Sequence, residues 1–191
     1  MDSALPDIHP SQLEGKRSLI RGEVKTGKTI LLSWLVSRFL TQGYGGLAVM
    51  DFAPEALRGV GGKMPLPAQA DDLRVYSPCI AAPRLSGGSP KEIQALAQTN
   101  GAAIDRVLAE YQAAPGNALF INDVSLYLQA REPDLLLNAM ASTPTVVMNG
   151  YYGRSLGADD FSQRERERME GLAAACDVVI ELPPKMQSLT D

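Results

Sequence analysis

The 191-residue sequence predicts an α/β fold of three layers, with a mostly parallel central sheet covered by helices on both faces. Three observations point there. Apolar strand candidates alternate with helical stretches along the whole chain, the order expected of parallel strands joined by crossover helices. The strand candidates are continuous apolar runs such as Leu47-Ala48-Val49-Met50 rather than alternating ones, which marks strands buried on both faces. A glycine-containing loop, Gly22 to Thr29, stands between the first strand and the first helix.

Taken in order, Arg17 to Arg21 is a short strand candidate, and Ile30 to Leu40 is an apolar-periodic helix that stops at Gly43. Trp34 on that helix reads as a core residue. Gly46 to Asp51 is the second strand, Ala53 to Ala70 a Gly/Pro-rich loop and Leu73 to Ser77 the third strand. A second loop, Pro78 to Gly88, leads into a helix from Pro90 to Tyr111. Its start is signalled by Ser89 as N-cap, Pro90 at the first helical position and Glu92 at the third, the pattern of a capping box. Ile93, Leu96, Ala97, Ile104, Val107, Leu108 and Tyr111 give this helix a buried face.

Ala118 to Asp123 is a fourth strand, a short helix begins near Pro133, and Thr145 to Asn149 is a fifth strand. A polar helix from Ser162 to Ala175 precedes the last strand, Asp177 to Leu182. In Arg164-Glu165-Arg166-Glu167-Arg168 the spacing predicts a solvated face with Arg166–Glu170 and Glu165–Arg168 surface pairs. With no internal repeat and no linker, the expectation is one domain with loose termini at 1–15 and 183–191.

Gly22-Glu23-Val24-Lys25-Thr26-Gly27-Lys28-Thr29 is a complete G-x-x-x-x-G-K-[ST] phosphate-binding loop. Its glycines allow backbone dihedrals closed to other residues, so that successive N–H groups from Glu23 to Ile30 can surround a β-phosphate at a helix N-terminus. Lys28 reaches the β- and γ-phosphates. The Thr29 hydroxyl is suited to a Mg²⁺ that keeps most of its waters. Mg-NTP is the expected ligand.

Ligands of parallel α/β sheets bind outside the carboxyl ends of the strands. Those ends are polar here at Asp51, Ser77, Asn122 with Asp123, and Asn149. Ala118 to Asp123 looks like a Walker B strand, four apolar residues running into an acid. Two registers are open. Asp123 holds the magnesium and Val124 takes the place of a catalytic glutamate, or Asn122 takes the magnesium position and Asp123 becomes the base.

On these residues the chain resembles the P-loop NTPase superfamily, specifically over Arg17 to Gly43, and in Gly46 to Glu55 and Ala118 to Asp123 its RecA-like and KaiC-like branch. The resemblance implies an additional strand in the sheet, an acid just past the second strand that activates water, and a polar sensor at Asn149. Ala53 stands where that acid usually comes, so Asp51 and Glu55 are both candidates. Gly150 and Tyr152 replace the lysine and aspartate of a guanine-reading N-K-x-D element, which favours ATP over GTP. Arg58 to Lys63 and Pro83 to Gly88 pair cations with glycines and read as surface loops or substrate contacts. Arg84 and Arg154 are candidate arginine fingers.

Composition narrows the partners. A net charge of −4 supplies no global basic field for nucleic acid. No apolar run is long enough for a membrane span. The N-terminus carries no secretory pattern, so a cytoplasmic protein is expected. Cys79, Cys176 and the single histidine, His9, give no disulfide framework or transition-metal cluster. The expected function is a Mg-dependent ATPase coupling hydrolysis to a conformational step in a protein partner or homo-oligomer. A small-molecule kinase and a slow nucleotide-dependent switch are the alternatives.

Overall fold

In the computed structural model the described residues are 6, 8–57, 62–67 and 73–184. Six strands, β1 (Arg17–Gly22), β2 (Leu47–Asp51), β3 (Arg74–Tyr76), β4 (Ala118–Asn122), β5 (Thr145–Tyr151) and β6 (Val178–Leu182), form one sheet in the order β3-β2-β4-β5-β1-β6. Every neighbouring pair is parallel. Among the described residues the α-helices are α1 (Lys28–Thr41), α2 (Pro83–Ser86), α3 (Pro90–Ala113), α4 (Ser125–Leu128), α5 (Asp134–Ala141) and α6 (Asp160–Ala174).

The period-two alternation of strand side chains divides the core into two. Ile20, Leu47, Val49, Phe120 and Val147 face Leu31, Leu32, Leu35, Val36 and Phe39 of α1. Their strand neighbours Leu19, Ala48, Met50, Leu119, Ile121, Val146 and Met148 face the other way, onto α3, α5 and α6 through Ile104, Leu108, Leu136, Met140, Met169 and Leu172. Both faces of the sheet are covered, which is why the central strands β2 and β4 are buried at every position.

Several elements depart from the sequence reading. The Pro78–Gly88 loop holds a helical turn, α2, and a second one, α4, follows β4. Each is four residues long, too short to show a period. The strand predicted to end at Asn149 runs on to Tyr151, so Asn149 lies inside β5. The capping box at α3 is half formed: Ser89 Oγ accepts from the Glu92 amide at 3.3 Å, while the Glu92 carboxylate turns to the Gly88 amide at 2.7 Å. Trp34 is only partly buried against the α1 core. His9, expected in a loose segment, caps a 3₁₀ turn at Pro10–Gln12.

The largest correction concerns α6. Glu165 is 2% exposed and pairs with Arg84, not Arg168. Arg168 pairs with Glu132 at 2.5 Å, Arg166 donates to the Gly153 carbonyl, and Glu170 accepts from Tyr152 at 2.7 Å. Within the charged run Glu165, Arg166 and Arg168 make tertiary contacts, while Arg164 and Glu167 stay on the exposed face.

The topology positions the site. β5 is inserted between β1, which feeds the glycine loop, and β4, which carries Asn122. The carboxyl ends of these three strands therefore open together at the N-terminus of α1, the place where parallel sheets bind ligands.

Candidate nucleotide site

Gly22 closes β1 at φ 152°, where a Cβ would stand 2.5 Å from the Leu182 carbonyl oxygen. Gly27 at φ 95° is the N-cap of α1, and Lys25 between them also has positive φ, 61°. This run of turned residues leads straight into a 14-residue helix with no side-chain cap, so its first N–H groups are open to an anion.

Lys28 is folded back over the loop. Its Nζ donates to the Glu23 carbonyl and to Thr26 Oγ1 at 3.3 Å. Burial pulls the Lys28 ammonium below its ordinary range, and the charges of Asp123 and Glu23 pull it partly back. A cation short of counter-charge in a half-buried loop is what an incoming phosphate would relieve.

Behind the loop lies a chain of amides and acids. Thr29 Oγ1 donates to Asn122 Oδ1 at 3.1 Å, and Asn149 Nδ2 donates to the same oxygen at 2.9 Å. Asn122 Nδ2 in turn donates to Asp51 Oδ1 at 2.8 Å. These partners fix which side of the Asn122 amide faces Thr29. Asp51 is 4% exposed, and its carboxylate also accepts the amides of Ala53 at 3.2 Å and Met64 at 2.8 Å. It ties the loop after β2 to β4 and does not line the cavity.

Asn149 also reaches forward. Its Oδ1 accepts the Asp123 amide at 2.8 Å and its carbonyl accepts the Val124 amide at 2.8 Å. Asp123 itself has φ 59°, uncommon outside glycine and a conformation that the surroundings must hold. Its carboxylate accepts from Ser125 Oγ at 2.6 Å. Burial pushes the Asp123 carboxyl above its usual range, against the opposing pull of the Ser125 hydroxyl and Lys28.

A cavity of about 300 Å³ opens between these groups. Lys28, Thr29, Asp123 and Asn149 line it with Val24, Lys25, Gly27 and Ile30, whose side chain is 58% exposed. Of the residues expected at the site, Gly22, Glu23 and Thr26 build the loop from behind. Glu55 is exposed and outside the cavity, as is Arg154. Arg58 to Gly61 lie outside the described residues. The sequence reading missed Ser125, Gln129 and Glu165, all on the cavity wall. Ser125, a polar residue three positions past the end of β4, carries a signature in the sequence; Gln129 and Glu165 carry none.

The Glu23 side chain points away from the cradle. It accepts from the amides of Arg154, at 2.5 Å, and Ser155, at 3.2 Å, and from the Ser155 hydroxyl at 2.5 Å. Burial works to raise the Glu23 carboxyl, but these hydrogen bonds outweigh it and hold the group below its ordinary range. The glycine loop is thereby clasped to the segment after β5.

No family model matches the chain, and no curated protein does. Among solved structures it is similar to the flagellar accessory protein FlaH from Methanocaldococcus jannaschii, with a TM-score of 0.51 and 12% identity over 88% of this chain and 71% of that one. At that identity the likeness speaks to fold alone. Among the described residues no helix is long and apolar enough to cross a membrane. The all-parallel sheet, the strand inserted between β1 and β4, and the shared architecture together make this a three-layer α/β/α fold like that of FlaH.

Proposed function

We propose that the protein binds Mg-ATP with its triphosphate on the Gly22–Thr29 loop and cleaves the γ-phosphate, with Asn122 in the magnesium position and Asp123 as the base. The observation that carries this reading is the 3.1 Å hydrogen bond from Thr29 Oγ1 to Asn122 Oδ1. It pairs the hydroxyl that ends the glycine motif with the last residue of β4, leaving Asp123 one residue further along, on the cavity. Thr29 lines the cavity and would hold a Mg²⁺ that keeps its waters, while Asn122, fully buried behind it with Oδ1 accepting from Thr29 and Asn149, serves the magnesium position by orienting that hydroxyl. Held there, the ion would supply charge neutralisation to the phosphates.

The remaining roles follow from placement. Lys28 leaves its contacts with Glu23 and Thr26 for the phosphates. The main-chain amides and this ammonium stabilise charge in a site organised before the ligand arrives. Asp123, kept proton-attracting by burial, takes the proton of the attacking group. Asp51 and Asn149 act as positioning residues, holding Asn122 and the Asp123 turn. Asp51 is a poor base because three N–H donors already occupy it, and Glu55 is a poor one because it lies off the cavity. Glu23 offers a route for coupling, since any shift of the loop on binding phosphate pulls on Arg154 and Ser155.

The test is phosphate release from Mg-ATP by purified protein. Lys28→Ala should lower turnover by about a hundredfold or more, the scale of removing one transition-state donor. If neither ATP nor GTP raises the thermal midpoint of the parent protein, the reading fails.

A further inference from the structure

The cavity continues past the phosphate loop to a wall that cleavage of ATP leaves unused: Arg84 of α2, Gln129 just beyond α4 and Glu165 of α6. Arg84 Nη2 and Glu165 Oε2 are 2.5 Å apart, with side chains 13% and 3% exposed. Arg84 Nη2 also donates to Ser162 Oγ at 3.2 Å, and Gln129 Nε2 donates to the second Glu165 oxygen at 3.0 Å. Both carboxylate oxygens are satisfied and the charges of the pair cancel. Gln129 Oε1 is different: the residue is 7% exposed and this oxygen meets no donor. Buried acceptors without partners are rare and costly in native proteins, and this one belongs to a residue of the cavity wall. Among the described residues the other two Arg84 nitrogens make no hydrogen bond either.

We propose that this wall binds a small, neutral, hydroxyl-bearing molecule that accepts the γ-phosphoryl group, which makes the protein a small-molecule kinase. The inference rests on ATP cleavage at the adjoining loop. The closed Arg84–Glu165 pair offers no free charge to an ionic ligand, while Gln129 Oε1 and the spare guanidinium N–H groups match a molecule with both donors and acceptors. Pro83, Leu85 and Leu126 flank them with apolar surface suited to C–H faces. The ligand is small because the phosphates share the same 300 Å³. Asp123 lies on this cavity, within electrostatic reach of both Lys28 and Arg84. In the reaction the acceptor O–H bond breaks and its proton passes to the Asp123 carboxylate. The acceptor oxygen bonds to the γ-phosphorus as the bond from that phosphorus to the β–γ bridging oxygen breaks, and ADP leaves with those electrons.

The experiment incubates the protein with Mg-ATP and, separately, glycerol, D-ribose and adenosine, following products by phosphorus NMR. A phosphate monoester formed in step with ADP is expected from at least one probe. Gln129→Leu should then lower the ratio of ester to free phosphate about tenfold, the effect of one lost hydrogen bond. Gln129→Met, similar in volume, gives the same reading should the leucine variant not fold. ADP with free phosphate as the sole products for all three probes overturns the acceptor site and leaves ATP cleavage standing. An ester ratio unchanged in both variants also overturns the assignment to this wall, and no ADP under any condition overturns both readings.

Discussion

Thr29 and Asn122 meet across the end of β4, hydroxyl to amide oxygen, at 3.1 Å. The amide behind that oxygen is held by Asp51 on its nitrogen side and by Asn149 on its oxygen side. Most of what can be expected of this site depends on that arrangement, because a neutral residue, not an acid, stands between Thr29 and the buried Asp51 carboxylate.

Asn122→Asp tests the arrangement directly. The new carboxylate would face the Asp51 oxygen that now accepts a hydrogen bond at 2.8 Å, exchanging attraction for like-charge repulsion inside a buried cluster. A loss of about 1–3 kcal/mol is expected at neutral pH, the scale for a buried polar partner removed. Adding Asp51→Asn should restore most of it, so the two changes are strongly non-additive in urea unfolding. Millimolar Mg²⁺ should stabilise the single variant more than the parent.

Asp123→Asn should separate function from stability. Turnover is expected to collapse while ATP still raises the thermal midpoint. Asparagine tolerates the positive φ at this position, so no backbone penalty opposes the change. The folded Asp123 carboxyl lies above its unfolded value of about 3.9, so the native state binds the proton more tightly. Stability from this group is greatest below the unfolded pKa and is lost as pH rises through the folded one. The variant should therefore be more stable than the parent at pH 7, and the gap should close as pH falls toward about 4. A gap that widens on acidification would contradict the assignment.

Much of this site was legible in the residues, and the limits have physical causes. Leu47–Asp51 and Ala118–Asn122 read as central strands because continuous apolar runs need cover on both faces, and both are buried throughout. The glycine loop reads directly because its spacing is a local geometric requirement. The register at Asn122 and Asp123 does not, since one residue separates the two roles; the Thr29 contact with Asn122 is the geometry on which the proposed assignment rests. Glu165 is illegible for another reason: alternating charges on a helix carry no sign of a guanidinium 81 residues away. The helical turns are held by packing rather than by any pattern of their own, α2 against α3 and α4 against α3 and α6.

Gly153→Ala should release the clasp on the phosphate loop. A Cβ at Gly153 would collide with the Glu23 carboxyl group, which is held in place by the Arg154 and Ser155 amides. Hydrogen exchange at those two amides should quicken while exchange in β1 and β5 stays as in the parent. The Glu23 carboxyl is held below its ordinary value, so the stability it supplies is present above the unfolded pKa and is lost as pH falls through the folded one. Acid should accordingly loosen the same two amides in the parent, and Glu23→Gln should blunt that pH dependence.

Arg84→Ala strips a buried carboxylate of its one cationic partner among the described residues. Glu165 is 2% exposed and burial already pushes its carboxyl up, with Arg84 supplying the main opposing pull. Removing one member of such a pair costs about 3–5 kcal/mol, because the charge left behind is neither solvated nor paired. The remaining hydrogen bond from Gln129 does not replace it. Without Arg84 the folded carboxyl climbs further above the unfolded value of about 4.3, so the cost is full at pH 7 and shrinks as acid protonates Glu165 in the folded chain. Urea unfolding of parent and variant at pH 7 and pH 5 measures this: the difference in stability should be clearly smaller at the lower pH. Coupling Arg84→Ala to Glu165→Leu should recover stability at pH 7, since an apolar side chain leaves no buried charge behind. An equal deficit at both pH values would mean that Arg84 stabilises the wall through its stacking on Phe161, 4.9 Å from the ring centre, rather than through charge.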